Sequence, residues 1–311
     1  MVKYVNQLLS SLSKPVLERY LVARGATRII VQDFDLWTQS FGSRYIPAFV
    51  TSKDSGEIVS TGHAFEYINI HDKASKLCYG GLLWVDKNHR GRKLLIHLTK
   101  LAATYPLVKY PFHGNMKSTS TSFFRIFTGE NNEFYTSHYS FYDKSELKID
   151  NIEKKDNGII LKKLSEVSPD LLTNYDQSVF PYDRETYIKE YMKQDHCYSR
   201  IALNPEGKVI GYGSIINYSH SGTAAIQPLY ADNADIARNI VVEILREENL
   251  DFQRLYLRTN EDTYTWLQPL LKDGVEARRK KHSVYRYSKE PPKGFDMNKC
   301  FAFASSKVCP I

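Results

Sequence analysis

Leu82-Leu-Trp-Val-Asp-Lys-Asn-His-Arg-Gly-Arg-Lys-Leu-Leu-Ile-His-Leu98 is the stretch of this 311-residue chain on which the fold turns. An apolar run suited to a strand ends at Val85, a basic loop with one glycine follows, and from about Arg92 the leucines fall at helical spacing. Strand, loop and helix in that order make an anion site from elementary parts. A helix begins with N–H groups that have no intrahelical acceptor and with the positive end of its dipole. Gly91 lets the backbone approach a ligand closely, and Arg90, Arg92 and Lys93 add full charges that suit phosphate oxygens. The competing reading is an ordinary basic connection between strand and helix. His89 reads as a phosphate contact or a solvated side chain rather than as a base.

Upstream of the loop, residues 46–50 and 58–70 are predicted strands around the turn Lys53-Asp-Ser-Gly56, and 77–85 is a third. Downstream, residues 94–105 carry Leu94, Leu95, Leu98, Leu101 and Ala102 on one helical face, and Pro106 stops the helix. Residues 143–158 are polar and turn-rich and read as a linker. A similar order then returns. Residues 184–194 are a predicted helix, with strands at 198–203 and 209–216 across Asn204-Pro-Glu-Gly207 and a further strand at 224–230. Next come an amphipathic helix at 233–248, a short strand at 254–257, a helix at 263–272 closed by Gly274, and a last strand at 283–287. The repeated order predicts two copies of one α/β unit, at 1–150 and 158–289. Residues 290–311 are left as a tail or a docking strand.

With those residues in view, the chain resembles the GCN5-related N-acetyltransferases (the GNAT superfamily), whose phosphate loop reads V-x-P-x-x-R-G-x-G/A. Val85, Arg90 and Gly91 match; Lys87 stands for the proline and Lys93 for the last glycine. The second half, through Gly211-Tyr-Gly213, Pro228-Leu-Tyr-Ala-Asp232 and Gly274-Val275, resembles the C-terminal acetyltransferase domain of YitH-type proteins. The whole resembles tandem acetyltransferase proteins of nematodes. The resemblance implies two tandem acyl-CoA N-acyltransferase-like domains, each a mixed, mostly antiparallel sheet flanked by helices. It implies acetyl-CoA, or another acyl-CoA, as co-substrate at Val85, Arg90, Gly91, Arg92, Lys93 and Leu94, with no metal and a small-molecule acceptor. Gly80-Gly81 is expected to mark a bulge or a close backbone approach. The second half is expected to hold no cofactor, because Asp232 stands before its helix as a cap and would repel pyrophosphate.

The family's usual catalytic positions are substituted. A Glu six residues before the motif valine is here Tyr79, a poor base at an ordinary pKa of about 10. The family's acid, a Tyr four residues before a Gly-Phe pair, maps to Arg125 before Gly129-Glu130. Glu66 and His113 are further candidates for proton transfer. Glu66 and His63 lie on opposite faces of their strand by period two. The reaction implied is acyl transfer to an amine or similar nucleophile by direct attack on the thioester. The alternative is an inactive module that binds coenzyme A or a protein partner.

Composition narrows the rest. A net charge of +7 suits an anionic small ligand and does not demand nucleic acid. The basic run at 278–282 is read as a solvated hairpin turn in preference to a nucleic-acid patch. The four cysteines form no C-x-x-C pair, which points to reduced thiols in the cytosol or nucleus. No stretch is long and apolar enough for a membrane span, and the start is too weak for a signal peptide. Lys117-Ser-Thr-Ser-Thr-Ser122 reads as a helix start. The tyrosines Tyr135, Tyr139, Tyr142, Tyr182, Tyr187 and Tyr191 suit half-buried strands and pocket walls.

Overall fold

The computed structural model describes residues 3–94, 98, 112–115, 132–149, 158–278, 280–286 and 294–305, with the backbone alone at 112–115, 132–136 and 280–286. The first half runs β1 (Tyr4–Gln7), α1 (Lys14–Arg24), α2 (Gln32–Phe41), β2 (Tyr45–Ser52), β3 (Ile58–Ile68), β4 (Lys76–Val85), β5 (Phe112–Asn115) and β6 (Asn132–Asp143). The second half opens with β7 (Ile160–Lys162), α3 (Pro169–Val179) and α4 (Glu185–Met192). It continues with β8 (Cys197–Leu203), β9 (Val209–Tyr218), β10 (Thr223–Ala231), α5 (Ala234–Leu245) and β11 (Arg254–Asn260), and closes with β12 (Lys280–Arg286) and β13 (Cys300–Ala302). Each half is an antiparallel meander that ends in one parallel step, β4 beside β5 and β10 beside β11.

The two sheets are joined edge to edge by an exchange of strands. The order is β1-β2-β3-β4-β5-β12-β6-β11-β10-β9-β8-β7. The second half's β12 lies between β5 and β6 of the first, and the first half's β6 lies between β12 and β11 of the second.

Helices cover both faces. Pro15 stands in the first turn of α1, and Gly25 closes that helix at φ +65°, the left-handed conformation glycine adopts without strain. Leu17, Tyr20 and Leu21 of α1 and Phe34, Leu36, Trp37 and Phe41 of α2 are buried in one aromatic core. That core is common to both halves: the Phe41 ring lies 5.6 Å from Tyr187, and Tyr67 meets Phe180 edge-on at 5.5 Å. On the other face α5 buries Ile236, Ile240 and Ile244. It can lie this low because a Cβ at Gly213 would come within 3.1 Å of Ile240, and one at Gly211 within 3.0 Å of Ile236.

Several expectations are corrected. The 143–158 run is not all linker: Glu146 takes the Arg278 guanidinium and Leu147 bridges to Leu271, while 150–157 lie outside the described residues. The basic run is not a hairpin turn, since Lys280 onward forms β12, whose ladders with β5 and β6 override its polar composition. The helix at 263–272 is a 3-10 helix, Tyr264–Leu270, with Pro269 inside. Tyr142, Tyr182, Tyr187 and Tyr191 are fully buried rather than half-buried. Of the two readings of the C-terminal residues, Cys300–Ala302 realise the docking strand, paired with β10. The body of the 94–105 helix, the 117–122 segment, Arg125, Gly129 and Glu130 lie outside the described residues.

Candidate functional site

β4 departs from regular pairing just after the two glycines. Thr61 faces Trp84 but His63 faces Gly81, so β4 has one residue more than β3 there, a bulge at Leu82 and Leu83. Leu82 takes a φ of +55°, and its carbonyl accepts hydrogen bonds from Thr61 Oγ1 and Arg24 Nη1, both at 2.9 Å. Arg24 Nη1 also donates to the Tyr20 hydroxyl at 2.8 Å, so α1 clamps the distortion. On its other edge β4 pairs with β5 only from Cys78 to Gly80. Beyond Gly80 the described residues place no strand against that edge.

The basic loop begins where this edge ends. Asp86 caps a short 3-10 turn, Lys87–His89, by accepting from the Asn88 amide at 2.8 Å. Gly91 and Lys93 both have left-handed backbone, φ +78° and +60°. Lys93, where the resemblance has a glycine, thus holds a conformation that glycine adopts without strain. Alternating left-handed residues turn successive N–H groups toward one side, as anion-binding nests do. Arg92 Nη1 donates to the Tyr4 hydroxyl at 3.1 Å, and that hydroxyl lies 3.1 Å from His89 Nδ1. Arg90 is held through its Nε to the Val85 carbonyl at 3.4 Å. Among the described residues Lys87, Arg90, Arg92 and Lys93 form no ion pair. Leu94, in the first helical position described after the loop, and Leu98 anchor the helix on Val50 and Val59. An alanine Cβ at Gly91 meets nothing within 4 Å. Gly91→Ala therefore isolates backbone strain and is expected to cost about 1 kcal/mol in a thermal melt.

Of the candidates for proton transfer, Tyr79 and Glu66 do not converge. Tyr79 faces Phe65 and is fully buried in the aromatic core, whereas Glu66 faces Cys78 on the opposite side of the sheet. Glu66 is engaged by Lys76 at 3.1 Å. The Cys78 thiol beside it is pushed well up by burial and, secondarily, by the Glu66 charge. His113 stands directly across from Tyr79 on β5. Tyr4, Tyr20, Arg24 and Thr61, which hold the bulge and the loop, were not singled out in the sequence; no local pattern links them to β4.

In the second half the corresponding place is built differently. β10 and β11 pair from Thr223 to Ile226 and then part, and β13 occupies the gap. Asp232 does not cap α5. Asn233 does, accepting from the Ile236 amide at 3.0 Å, while Asp232 takes Lys299 Nζ at 3.1 Å and the Tyr175 hydroxyl at 3.0 Å.

Meander, bulge and parallel step, present in both halves in tandem, are the architecture of the acyl-CoA N-acyltransferases, and the basic loop stands in the first half. The solved structures agree. A putative acetyltransferase from Pyrococcus horikoshii superposes with a TM-score of 0.67 over 98% of this chain and 96% of its own, at 13% identity. A tandem GNAT protein from the clavulanic acid biosynthesis pathway gives 0.65 over 93% and 100%, at 10% identity. The N-myristoyltransferase of Saccharomyces cerevisiae with bound myristoyl-CoA gives 0.62 over 100% and 85%, at 12% identity. Residues 172–297 match the family model described as "Acetyltransferase (GNAT) domain". Residues 6–179, more than half the chain, match "Protein of unknown function (DUF1248)", and the chain belongs to that family. No curated protein matches it significantly. Among the described residues no helix is long and apolar enough to cross a membrane.

Proposed function

We propose that the protein is an acyl-CoA-dependent N-acyltransferase that takes acetyl-CoA in its first half and acylates a small amine or similar nucleophile, among the reduced thiols of the cytosol or nucleus. The second half is read as a YitH-type domain that buttresses the first. The observation that carries the proposal is the edge of β4, unpaired past Gly80 among the described residues, running into a loop whose cations meet no carboxylate among those residues, with left-handed backbone at Gly91 and Lys93. These residues fit the group. The edge offers backbone hydrogen bonds to an extended amide-containing arm, and the loop offers amides and charges to a pyrophosphate. When bound, the thioester supplies the activated acyl group. The chain's own contribution is to hold donor and acceptor together, from which much of the rate in such transfers comes.

The test is binding and turnover in one loop variant. Arg90→Ala with Gly91→Asp removes one cation and sets a carboxylate where the phosphates would lie. It is expected to weaken acetyl-CoA binding by about 100-fold, the loss of charge-assisted hydrogen bonds plus like-charge repulsion. Calorimetric titration reads this, and no change in melting temperature of the parent chain at millimolar acetyl-CoA would sink the proposal.

A second reading is favoured by Tyr79 being fully buried and Glu66 ion-paired. In that reading the protein is a catalytically inactive module that binds coenzyme A or a protein partner. Acetyl-CoA binding without turnover over a broad amine panel would select it, and turnover lost in the loop variant would select the enzyme.

A further inference from the structure

In acyltransferases of this architecture, as proposed for the first half, the gap where two parallel strands part receives the extended arm of the cofactor. In the second half that gap holds polypeptide. β13 runs antiparallel to β10, with Leu229 opposite Ala302 and Tyr230 opposite Cys300. It is tied to β11 as well, because the Phe303 amide donates to the Arg258 carbonyl at 2.8 Å. Cys300, Phe301, Ala302 and Phe303 are all buried, and the Arg258 guanidinium lies 4.5 Å from the Phe303 ring centre.

The end of the gap is specific too. Asn260 Nδ2 donates to the carbonyls of Met297 and Cys300 at 2.8 and 3.1 Å, and Thr263 Oγ1 donates to the Cys300 carbonyl at 2.9 Å. Just after β10, at the position matching the first half's cationic loop, stands Asp232, and Lys299 comes to it. The charge of the site is thus inverted. A place that in the first half is shaped for an anion is here shaped for a cation, and the cation arrives on the strand that fills the gap.

We infer that the second half's slot is a strand-binding site for an extended peptide with a lysine just before an apolar run, filled in cis by residues 299–303 and so closed to acyl-CoA. The exclusion of acyl-CoA rests on the proposed function of the first half; the peptide site does not. The backbone ladder to β10, with the bond from the Phe303 amide to the Arg258 carbonyl, supplies the affinity, as when a peptide adds a strand to a sheet. Asp232 sets the register by fixing Lys299.

Cys300 gives a direct readout in the full-length chain, because its thiol is labelled only when the strand leaves the slot. Maleimide labelling followed by peptide mass analysis is expected to be at least about 100-fold slower at Cys300 in the native chain than in urea, as for a buried strand that opens locally. Lys299→Glu and Asp232→Lys each turn an attraction into a repulsion and are expected to raise that rate about tenfold, while the double variant restores it to within about threefold of the parent. A synthetic peptide of residues 294–305 with Cys300→Ser, in excess over the Lys299→Glu chain, raises the labelling further; the same residues in scrambled order do not. If Asp232→Lys unfolds the chain, Lys299→Glu and the peptide arm decide alone.

Cys300 labelling as fast in the native chain as in urea, or a peptide no better than its scramble, overturns the inference. Acetyl-CoA that speeds Cys300 labelling also overturns it, since the cofactor would then be entering this slot. If acetyl-CoA fails to bind anywhere, the first-half proposal falls while the labelling and peptide results stand.

Discussion

Asp176→Ala is expected to destabilise the chain by about 3–5 kcal/mol in urea unfolding at neutral pH, the cost of leaving a buried guanidinium without its carboxylate. Arg184 has no exposed side-chain surface and Asp176 only 4%. The pair is bidentate, Nε to Oδ2 at 3.0 Å and Nη2 to Oδ1 at 2.7 Å, and the Tyr212 hydroxyl donates to the same carboxylate. Arg184 also donates to the Tyr230 hydroxyl at 3.1 Å and lies over the Phe180 ring. Each partner was placed by a different element: Asp176 by α3, Arg184 by the turn before α4, the tyrosines by β9 and β10. Removing both charges is a different experiment. Asp176→Leu with Arg184→Met is expected to recover most of the loss, because desolvation of the pair offsets much of its attraction. A double variant as unstable as Asp176→Ala would mean that the tyrosine hydrogen bonds, and not the charges, carry the stability.

The second large effect is in the pH dependence. His63 is buried among Phe34, Trp37, Tyr45 and Phe49, with Nδ1 2.6 Å from the Tyr45 hydroxyl and no hydrogen-bond partner for Nε2. Burial, and then repulsion by Arg24, lower its pKa to about 3. An unfolded histidine titrates near 6.5, so between these values the unfolded chain holds one proton more than the folded one. The stability contribution is complete above about pH 6.5 and is lost as the pH falls toward 3, at about 1.4 kcal/mol per unit. Lowering the pH from 7 to 4.5 is therefore expected to cost about 3 kcal/mol from this group alone. Urea melts across that range should be flatter by this amount in His63→Phe. An equal slope in the two chains would show that His63 is protonated in the fold.

Much of the fold was legible wherever signals were contiguous. The turn at Lys53–Gly56 and the alternating strands beside it, the basic loop and the amphipathic α5 all carry their evidence within a dozen residues. Helix α1 was missed although Pro15 and Gly25 bracket it. Its apolar residues do not form one stripe, since Val22 is 81% exposed while Tyr20 and Leu21 are buried. β12 was read only from Ser283 onward and β13 only as one of two options, because each is a strand through partners far along the chain. The same limit applies to the site. The loop's cations were visible, but Tyr4, which holds Arg92, is 88 residues from it, and Arg24 is 58 residues from the carbonyl it holds. Asp232 was read from its neighbour as a helix cap, and only Lys299 reveals its role.

The exchange of β12 and β6 also sets an order of events during synthesis. As the chain leaves the ribosome, the first half can assemble β1 to β4 and the helices α1 and α2. β5 has no partner on its far side until Val284 arrives to pair with Asn115. The parting of β4 from β5, where the proposed cofactor enters, is thus finished by residues made after β7 to β11 of the second half. A nascent first half waits with the far edge of β5 and both edges of β6 unpaired, the state most prone to pair with other chains. Failure of either half to fold when expressed alone is the expected consequence of that topology.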